Sequence, residues 1–156
     1  MYLTKVQNHD LLKHDETNHN REVRMTAQRG ATKRAISTSK APAPTASYSQ
    51  AVVANGLVWV CGQVGNTAAA TGKAISDDIG EQTRQAIRNI EIILAEVGAG
   101  LADIVMVHVF VDTLIDFPAF DAAFQEVMPR PFPARVTVSG GVDPFRVEIA
   151  VTAVVP

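Results

Sequence analysis

Cysteine is almost absent from this chain of 156 residues, since Cys61 is the only one. A single thiol excludes an intrachain disulfide and a cysteine-rich zinc site. Long apolar runs are also missing: no segment approaches the roughly 20 apolar residues of a membrane span, and no apolar run resembles a secretory signal. We therefore expect a cytoplasmic protein that does not bind a membrane, because one free cysteine suits a reducing compartment.

Positive charge is scarce in most of the chain. Eight of the 14 Lys/Arg residues and four of the 16 acids lie in residues 1–40, which leaves six basic and twelve acidic residues in 41–156. An acidic domain opposes binding to a phosphate backbone, which needs clustered Lys and Arg. Phosphate-loop and dinucleotide-binding motifs and metal-ligand spacings are also missing, so we expect no nucleic-acid partner, metal or cofactor.

The hydrophobic pattern predicts one folded domain over residues 31–156, preceded by a polar, disordered extension over residues 1–30. Asn55-Gly56 between two apolar runs predicts a hairpin. The pattern of residues 78–97 predicts a helix that begins at Asp78, where Glu81 has capping-box spacing. The predicted elements are strands near 35–37, 51–54, 57–61, 104–112, 134–139 and 145–155, a loop over 62–71, and helices over 78–97 and from Asp116 to Pro129.

This order predicts an α+β fold, in which two helices cover one face of a mostly antiparallel, mixed sheet. The uncovered side of the last strand carries Ala150 and Val154, which are too apolar for a fully solvated surface. We therefore expect a homo-oligomer that buries this second face.

Two isolated charges lie in apolar strands. Arg135 starts the strand after Phe132-Pro133-Ala134, and Glu148 interrupts the apolar run of the last strand. A guanidinium matches a carboxylate bidentately, and a carboxylate in a strand is costly unless something uses it. The pair indicates a site for a small anionic substrate, although a structural ion pair, with Glu148 bound to Arg146 or Arg135, explains the same pattern.

The ordered motifs of residues 33–155 resemble those of the YjgF/RidA family of enamine and imine deaminases. The matching segments are Lys33-Arg34-Ala35-Ile36-Ser37-Thr38, Tyr48-Ser49-Gln50-Ala51-Val52, Gly56 to Gln63, Glu81-Gln82-Thr83-Arg84-Gln85, Val109-Phe110-Val111-Asp112, Asp116-Phe117, Phe132-Pro133-Ala134-Arg135 and Val147-Glu148-Ile149.

The resemblance implies a chorismate-mutase-like fold that assembles as a homotrimer with clefts between subunits. It implies a hydrolase similar to 2-iminobutanoate/2-iminopropanoate deaminase, which acts on C=N bonds of substrates such as 2-aminoacrylate without a cofactor. By the same resemblance, Arg135 holds the substrate carboxylate, and Glu148 positions the hydrolytic water and transfers protons.

The resemblance also implies that Tyr48, Cys61, Gly62, Asp121 and Thr137 contact the substrate. Three of these depart from the family pattern: Asp121 stands where many members have Asn, Cys61 replaces Ser, and Thr137 replaces Cys. A second carboxylate at position 121 would repel a carboxylate substrate if it pointed inward, so the departures put the substrate's identity in question.

Other functions remain open at this point. A ribonuclease or translation inhibitor finds support only in the basic extension, and a non-catalytic module could bind a small carboxylate in the same cleft. Deamination of an aminomuconate is a further possibility. A nucleophilic Cys61 would need a base such as His108 beside it, and a buried strand cysteine and a core or interface histidine are the simpler interpretations.

Overall fold

The computed structural model describes residues 32–156, so the predicted extension over residues 1–30 lies outside the described residues. The described residues form six strands and two α-helices, joined by loops and three short 3-10 turns. The strands are β1 (Arg34–Ile36), β2 (Ala51–Ala54), β3 (Leu57–Val64), β4 (Ile104–Val111), β5 (Ala134–Ser139) and β6 (Val147–Val154), and the helices are α1 (Ile79–Ala95) and α2 (Phe117–Val127).

The strands form one sheet in the order β1-β2-β3-β6-β4-β5. All neighbours are antiparallel except β4 and β5, which are parallel because α2 crosses over between them. The predicted α+β fold with a mostly antiparallel, mixed sheet is therefore confirmed. Strand β5, which carries Arg135, is at one edge of the sheet, and β6, which carries Glu148, is near its centre.

The predicted hairpin and the predicted helix cap are both present. Asn55 and Gly56 have φ of 49° and 74°, the left-handed values that a tight turn between β2 and β3 requires. At the start of α1, the Asp78 carboxylate accepts a hydrogen bond of 2.7 Å from the backbone N–H of Glu81. These short-range signals fix two junctions of the fold without help from distant residues.

Two local predictions were wrong. The loop expected from Gly62 begins later, because β3 continues to Val64 beyond a register shift and pairs there with Glu148. Asp116 was expected to cap α2, but its side chain makes no capping hydrogen bond. Its carboxylate instead forms an ion pair with Arg146, which brings the start of α2 to the start of β6.

The helices bury one face of the sheet. Val107, Val109 and Ile149 on this face are at most 1% exposed, and they pack beneath α1 and α2. The opposite side, which we call the open face, carries large apolar side chains that are roughly two fifths exposed in the single chain. They are Trp59, Phe110, Val136, Val138 and Val154.

No helix in the described part of the chain is both long and apolar enough to cross a membrane.

His108 lies exposed on the open face, so it is not a core histidine. Within residues 32–156, no part of the single chain covers the open face, so its apolar side chains stay partly exposed.

Candidate functional site

The predicted site residues fall into two groups on opposite faces of the sheet. Glu148 alternates with the core residues Val147 and Ile149, so its side chain points to the open face. Arg135 pairs with the core residue Val107 and lies against α2, so it is on the helical face. One chain therefore does not bring the two predicted catalytic residues into one cavity.

Glu148 borders a cavity of about 490 Å³. Tyr48, Cys61 and Gly62 line it as well, so four predicted residues meet here, and we call them the glutamate half-site. Further lining residues, which the sequence did not single out, include Gln63, Asn66, Asp143 and Phe145. Among the described residues, Glu148 forms no ion pair, since Arg146 is bound to Asp116 and Arg135 to Asp121. Within one chain, Glu148 is therefore not the ion-pair partner of either arginine.

Gly62 allows the Glu148 carboxylate to lie directly over β3. A Cβ atom added at Gly62 would be 1.8 Å from Oε1 of Glu148 and 2.5 Å from its Cδ. Any side chain at this position would displace the carboxylate, so the glycine and the placement of the acid depend on each other. This close approach explains why position 62 has no side chain, which the position of the glycine in the sequence did not reveal.

The Cys61 thiol lies half-buried beside the acid. Burial raises the pKa of the Cys61 thiol, and the nearby negative charge of Glu148 raises it further, while a hydrogen bond from Nε2 of Gln63 to Sγ at 3.2 Å opposes the shift. A thiol with a raised pKa is a poor nucleophile at neutral pH. Cys61 is thus a neutral wall of the cavity, and it is neither a core residue nor an activated nucleophile.

Tyr48 is about half exposed at the rim of this cavity. Its hydroxyl accepts a hydrogen bond of 3.2 Å from the backbone N–H of Thr45. Because the hydroxyl is the acceptor in this bond, its own O–H can still donate to a ligand.

Three buried amide side chains form hydrogen bonds to backbone segments in or next to the glutamate half-site. Gln50 Nε2 donates to the carbonyls of Thr38 and Pro42, at 3.1 and 2.8 Å. Asn89 Nδ2 donates to the carbonyl of Asn66 at 2.9 Å. Gln82 spans Ser76 and Arg146, with hydrogen bonds of 2.7 and 2.9 Å. A buried amide must satisfy its hydrogen bonds, so each one fixes the loops that it contacts.

Arg135 borders a second cavity of about 380 Å³, together with Asp121, Phe124 and Gln125. Its Nη2 is 2.7 Å from Oδ1 of Asp121, with the two side chains 21% and 27% exposed. We call Arg135 and Asp121 the arginine half-site. The carboxylate of Asp121 does point inward, and it neutralises the guanidinium that was predicted to hold a substrate carboxylate.

Three phenylalanines of α2 support the guanidinium. The Cζ atom of Arg135 is 5.5, 5.2 and 4.8 Å from the ring centres of Phe117, Phe120 and Phe124. Aromatic faces attract a cation and restrict the plane of the guanidinium. Helix α2 thus orients Arg135, and its phenylalanines contact both this guanidinium and the hydrophobic core.

Thr137 lies two residues beyond Arg135 on the same face of β5, but it lines neither of these two cavities. Its Oγ1 is buried without a hydrogen-bond partner among the described residues. A contact between Thr137 and substrate stays a prediction. Over the same part of the chain, no three His, Cys, Asp or Glu side chains are placed together to hold a metal.

The fold and the two cavities define a small α+β domain that presents a carboxylate at one cavity and a guanidinium at the other. Residues 38–155 match the family model described as Endoribonuclease L-PSP. The chain belongs to this family, the YjgF/RidA family, as its motifs predicted.

Named relatives include deaminases. A 2-iminobutanoate/2-iminopropanoate deaminase from Dermatophagoides farinae is 34% identical over 123 residues, which cover 79% of this chain and 95% of the relative. The mitochondrial protein MMF1 of Saccharomyces cerevisiae is 35% identical over 114 residues, which cover 73% of this chain and 77% of the relative.

Solved structures of relatives have the same fold. The crystal structure of yeast Mmf1 aligns with a TM-score of 0.75 and covers 80% of this chain and all of the yeast chain, at 33% identity. A structure of TdcF from E. coli with bound serine aligns with a TM-score of 0.70, at 25% identity, and covers 78% of this chain and 98% of TdcF.

Proposed function

We propose that this protein hydrolyses reactive 2-imino and 2-enamino acids to 2-oxo acids and ammonia, at clefts formed where two copies meet. The observation that carries the proposal is the separation of Arg135 and Glu148 onto opposite faces of one chain, each at the wall of a cavity. A site that uses both residues is incomplete in one chain, and a second copy would complete it.

The open face supports an assembly of this kind. Its apolar side chains, such as Phe110, Val136 and Trp59, are roughly two fifths exposed in the single chain. We infer a homotrimer, the arrangement implied by the family. Sedimentation should then give about three times the 16.7 kDa monomer mass, and a protein that sediments as a monomer would contradict the shared cleft.

The two charged residues divide the chemistry between them. Arg135 binds the substrate carboxylate and orients the C=N carbon. A 2-enamino acid first takes up a solvent proton at C3, which gives the C=N form. Glu148 then takes a proton from water as the oxygen attacks the C=N carbon, and it returns a proton to the departing nitrogen while the new hydroxyl loses its own proton to solvent. One water is consumed, the C–N bond breaks, and a 2-oxo acid and ammonia leave, so the step needs no cofactor.

Further support comes from relatives. The mite protein is named a deaminase of 2-imino acids, and the TdcF structure contains serine, a small molecule with a carboxylate. We also propose a cytoplasmic location for this protein. The yeast relative MMF1 is named a mitochondrial protein, so the location needs a test of its own. Fractionation of the native host would show which compartment applies here.

The test is to generate 2-aminoacrylate freshly and to measure pyruvate and ammonia in the presence of the protein. We expect the wild type to accelerate hydrolysis and Arg135→Ala and Glu148→Gln to lose the acceleration. Glu126→Gln is the matched control, because Glu126 is an exposed acid on α2 that pairs with Arg84 outside both cavities. Full catalysis by Arg135→Ala would overturn the assignment.

Two other functions predict different results, which separate measurements would show. A non-catalytic carboxylate binder would be stabilised by a ligand without forming product. A ribonuclease, which the description of the family model suggests, would bind RNA in a salt-sensitive manner. The acidic excess of residues 41–156 argues against RNA binding by the folded domain.

A further inference from the structure

The guanidinium of Arg135 already has a counter-ion. Oδ1 of Asp121 lies 2.7 Å from Nη2 of Arg135, and neither side chain is more than 27% exposed. The second oxygen of Asp121, Oδ2, accepts a hydrogen bond of 2.6 Å from Nε2 of Gln125, one turn further along α2. The carboxylate is thus held at both oxygens on the wall of the cavity that it shares with Arg135.

This pair makes the arginine half-site neutral before any ligand binds. A monocarboxylate that binds Arg135 adds a second negative charge next to Asp121, in a partly buried place where an uncompensated charge is costly. A ligand that carries a carboxylate and also a protonated nitrogen adds no net charge. Its N–H groups can bond to Asp121 while its carboxylate bonds to Arg135.

We propose that Asp121 determines the charge type of the ligand: it selects zwitterions with an amino or iminium nitrogen beside the carboxylate, over simple monoanions. The inference rests on the proposed function, and it names the protonated 2-iminium acid as the bound form of the substrate. The 2-oxo acid product has lost that nitrogen. Its carboxylate therefore adds a negative charge beside Asp121 that no cation of the ligand offsets, which favours its release.

The test compares two unreactive ligands of similar size by calorimetry at pH 7. L-2-aminobutanoate is a zwitterion, and 2-oxobutanoate is a monoanion. We expect Asp121→Asn to shift the ratio of the two dissociation constants by about tenfold or more in favour of the 2-oxo acid, which is the effect of losing one charge-assisted contact. Asp121→Ala should shift the ratio in the same direction. Glu126→Gln removes the same charge five residues further along α2, and it should leave the ratio at the wild-type value.

The outcomes separate this inference from the proposed function. If Arg135→Ala abolishes binding of both ligands but folded Asp121→Asn and Asp121→Ala keep the wild-type ratio, the role of Asp121 is wrong and the carboxylate anchor stands. If Arg135→Ala binds both ligands as well as the wild type does, the anchor is wrong, and the proposed function fails with it.

Discussion

Replacing Gly62 with alanine tests whether the placement of the Glu148 carboxylate controls the chemistry. The new methyl group would be 1.8 Å from Oε1, 2.5 Å from Cδ and 2.8 Å from Cγ of Glu148. Contacts under 3.0 Å do not occur at real Cβ atoms, so the carboxylate must move by more than about 1 Å. The side chain is only half-buried and borders a cavity, so it can rotate away and leave the fold intact.

The expected effect of Gly62→Ala is a lower rate of catalysis. A displacement of about 1 Å in a catalytic group can reduce a rate by about 100-fold, which corresponds to about 2.7 kcal/mol of activation free energy. We expect kcat for 2-aminoacrylate hydrolysis to fall by this order in Gly62→Ala. Binding of 2-oxobutanoate through Arg135 should change much less, since that residue lies in the other half-site.

A matched glycine and a double variant make the test specific. Gly100→Ala adds the same methyl group at a position where nothing lies within 4 Å, so it should keep full activity. In Glu148→Gln the acid is already lost, and adding Gly62→Ala should then cost little more. If the double variant lost kcat by the product of the two single losses, the link between the glycine and the acid would be refuted. A Gly62→Ala protein with the wild-type kcat would refute it as well.

Three further predictions concern the anchor, the thiol and the open face. Arg135→Lys should weaken 2-oxobutanoate binding by about tenfold in calorimetry, because an ammonium does not match a carboxylate bidentately; unchanged affinity would contradict the anchor. Burial and the charge of Glu148 raise the pKa of Cys61, so the thiolate forms only at higher pH. Glu148→Gln should therefore speed alkylation by iodoacetamide at pH 8, and an unchanged rate would contradict their proximity. Val136→Asp puts a charge on the open face, so it should sediment as a folded monomer; an intact oligomer would show that this face is not the interface.

The sequence predicted the elements whose signals are local. Asn55-Gly56 and the Asp78 cap depend on residues within a few positions of each other, and both appear as expected. The end of β3 and the role of Asp116 were missed, because each depends on a partner far along the chain. Val64 pairs with Glu148, and Asp116 pairs with Arg146.

The same contrast applies to the candidate site. The resemblance assigned Tyr48, Cys61, Gly62 and Glu148 to one substrate site together with Arg135, Asp121 and Thr137. The structure brings the first four around one cavity and places Arg135 and Asp121 at another, a separation that the motifs did not predict. The supporting amides were missed, since Gln82 and Asn89 are polar residues that a hydrophobic pattern does not assign to a core. Their role depends on the loop carbonyls that they contact.

The departure at Asp121 was noticed in the sequence, but its geometry was not predictable. Whether the carboxylate faced solvent or Arg135 depended on how α2 packs on β5. The structure brings its Oδ1 within 2.7 Å of the guanidinium. An acid that first suggested repulsion of the substrate is therefore the ion-pair partner of Arg135.

Mixing two inactive variants tests the central claim, that one cleft combines Arg135 of one copy with Glu148 of another. Arg135→Ala and Glu148→Gln subunits, unfolded together and refolded as a mixture, should regain about a quarter of the wild-type activity, because random assembly restores both residues in one of four clefts. Each variant refolded alone should stay inactive. A mixture that forms mixed oligomers but recovers no activity would contradict the shared cleft.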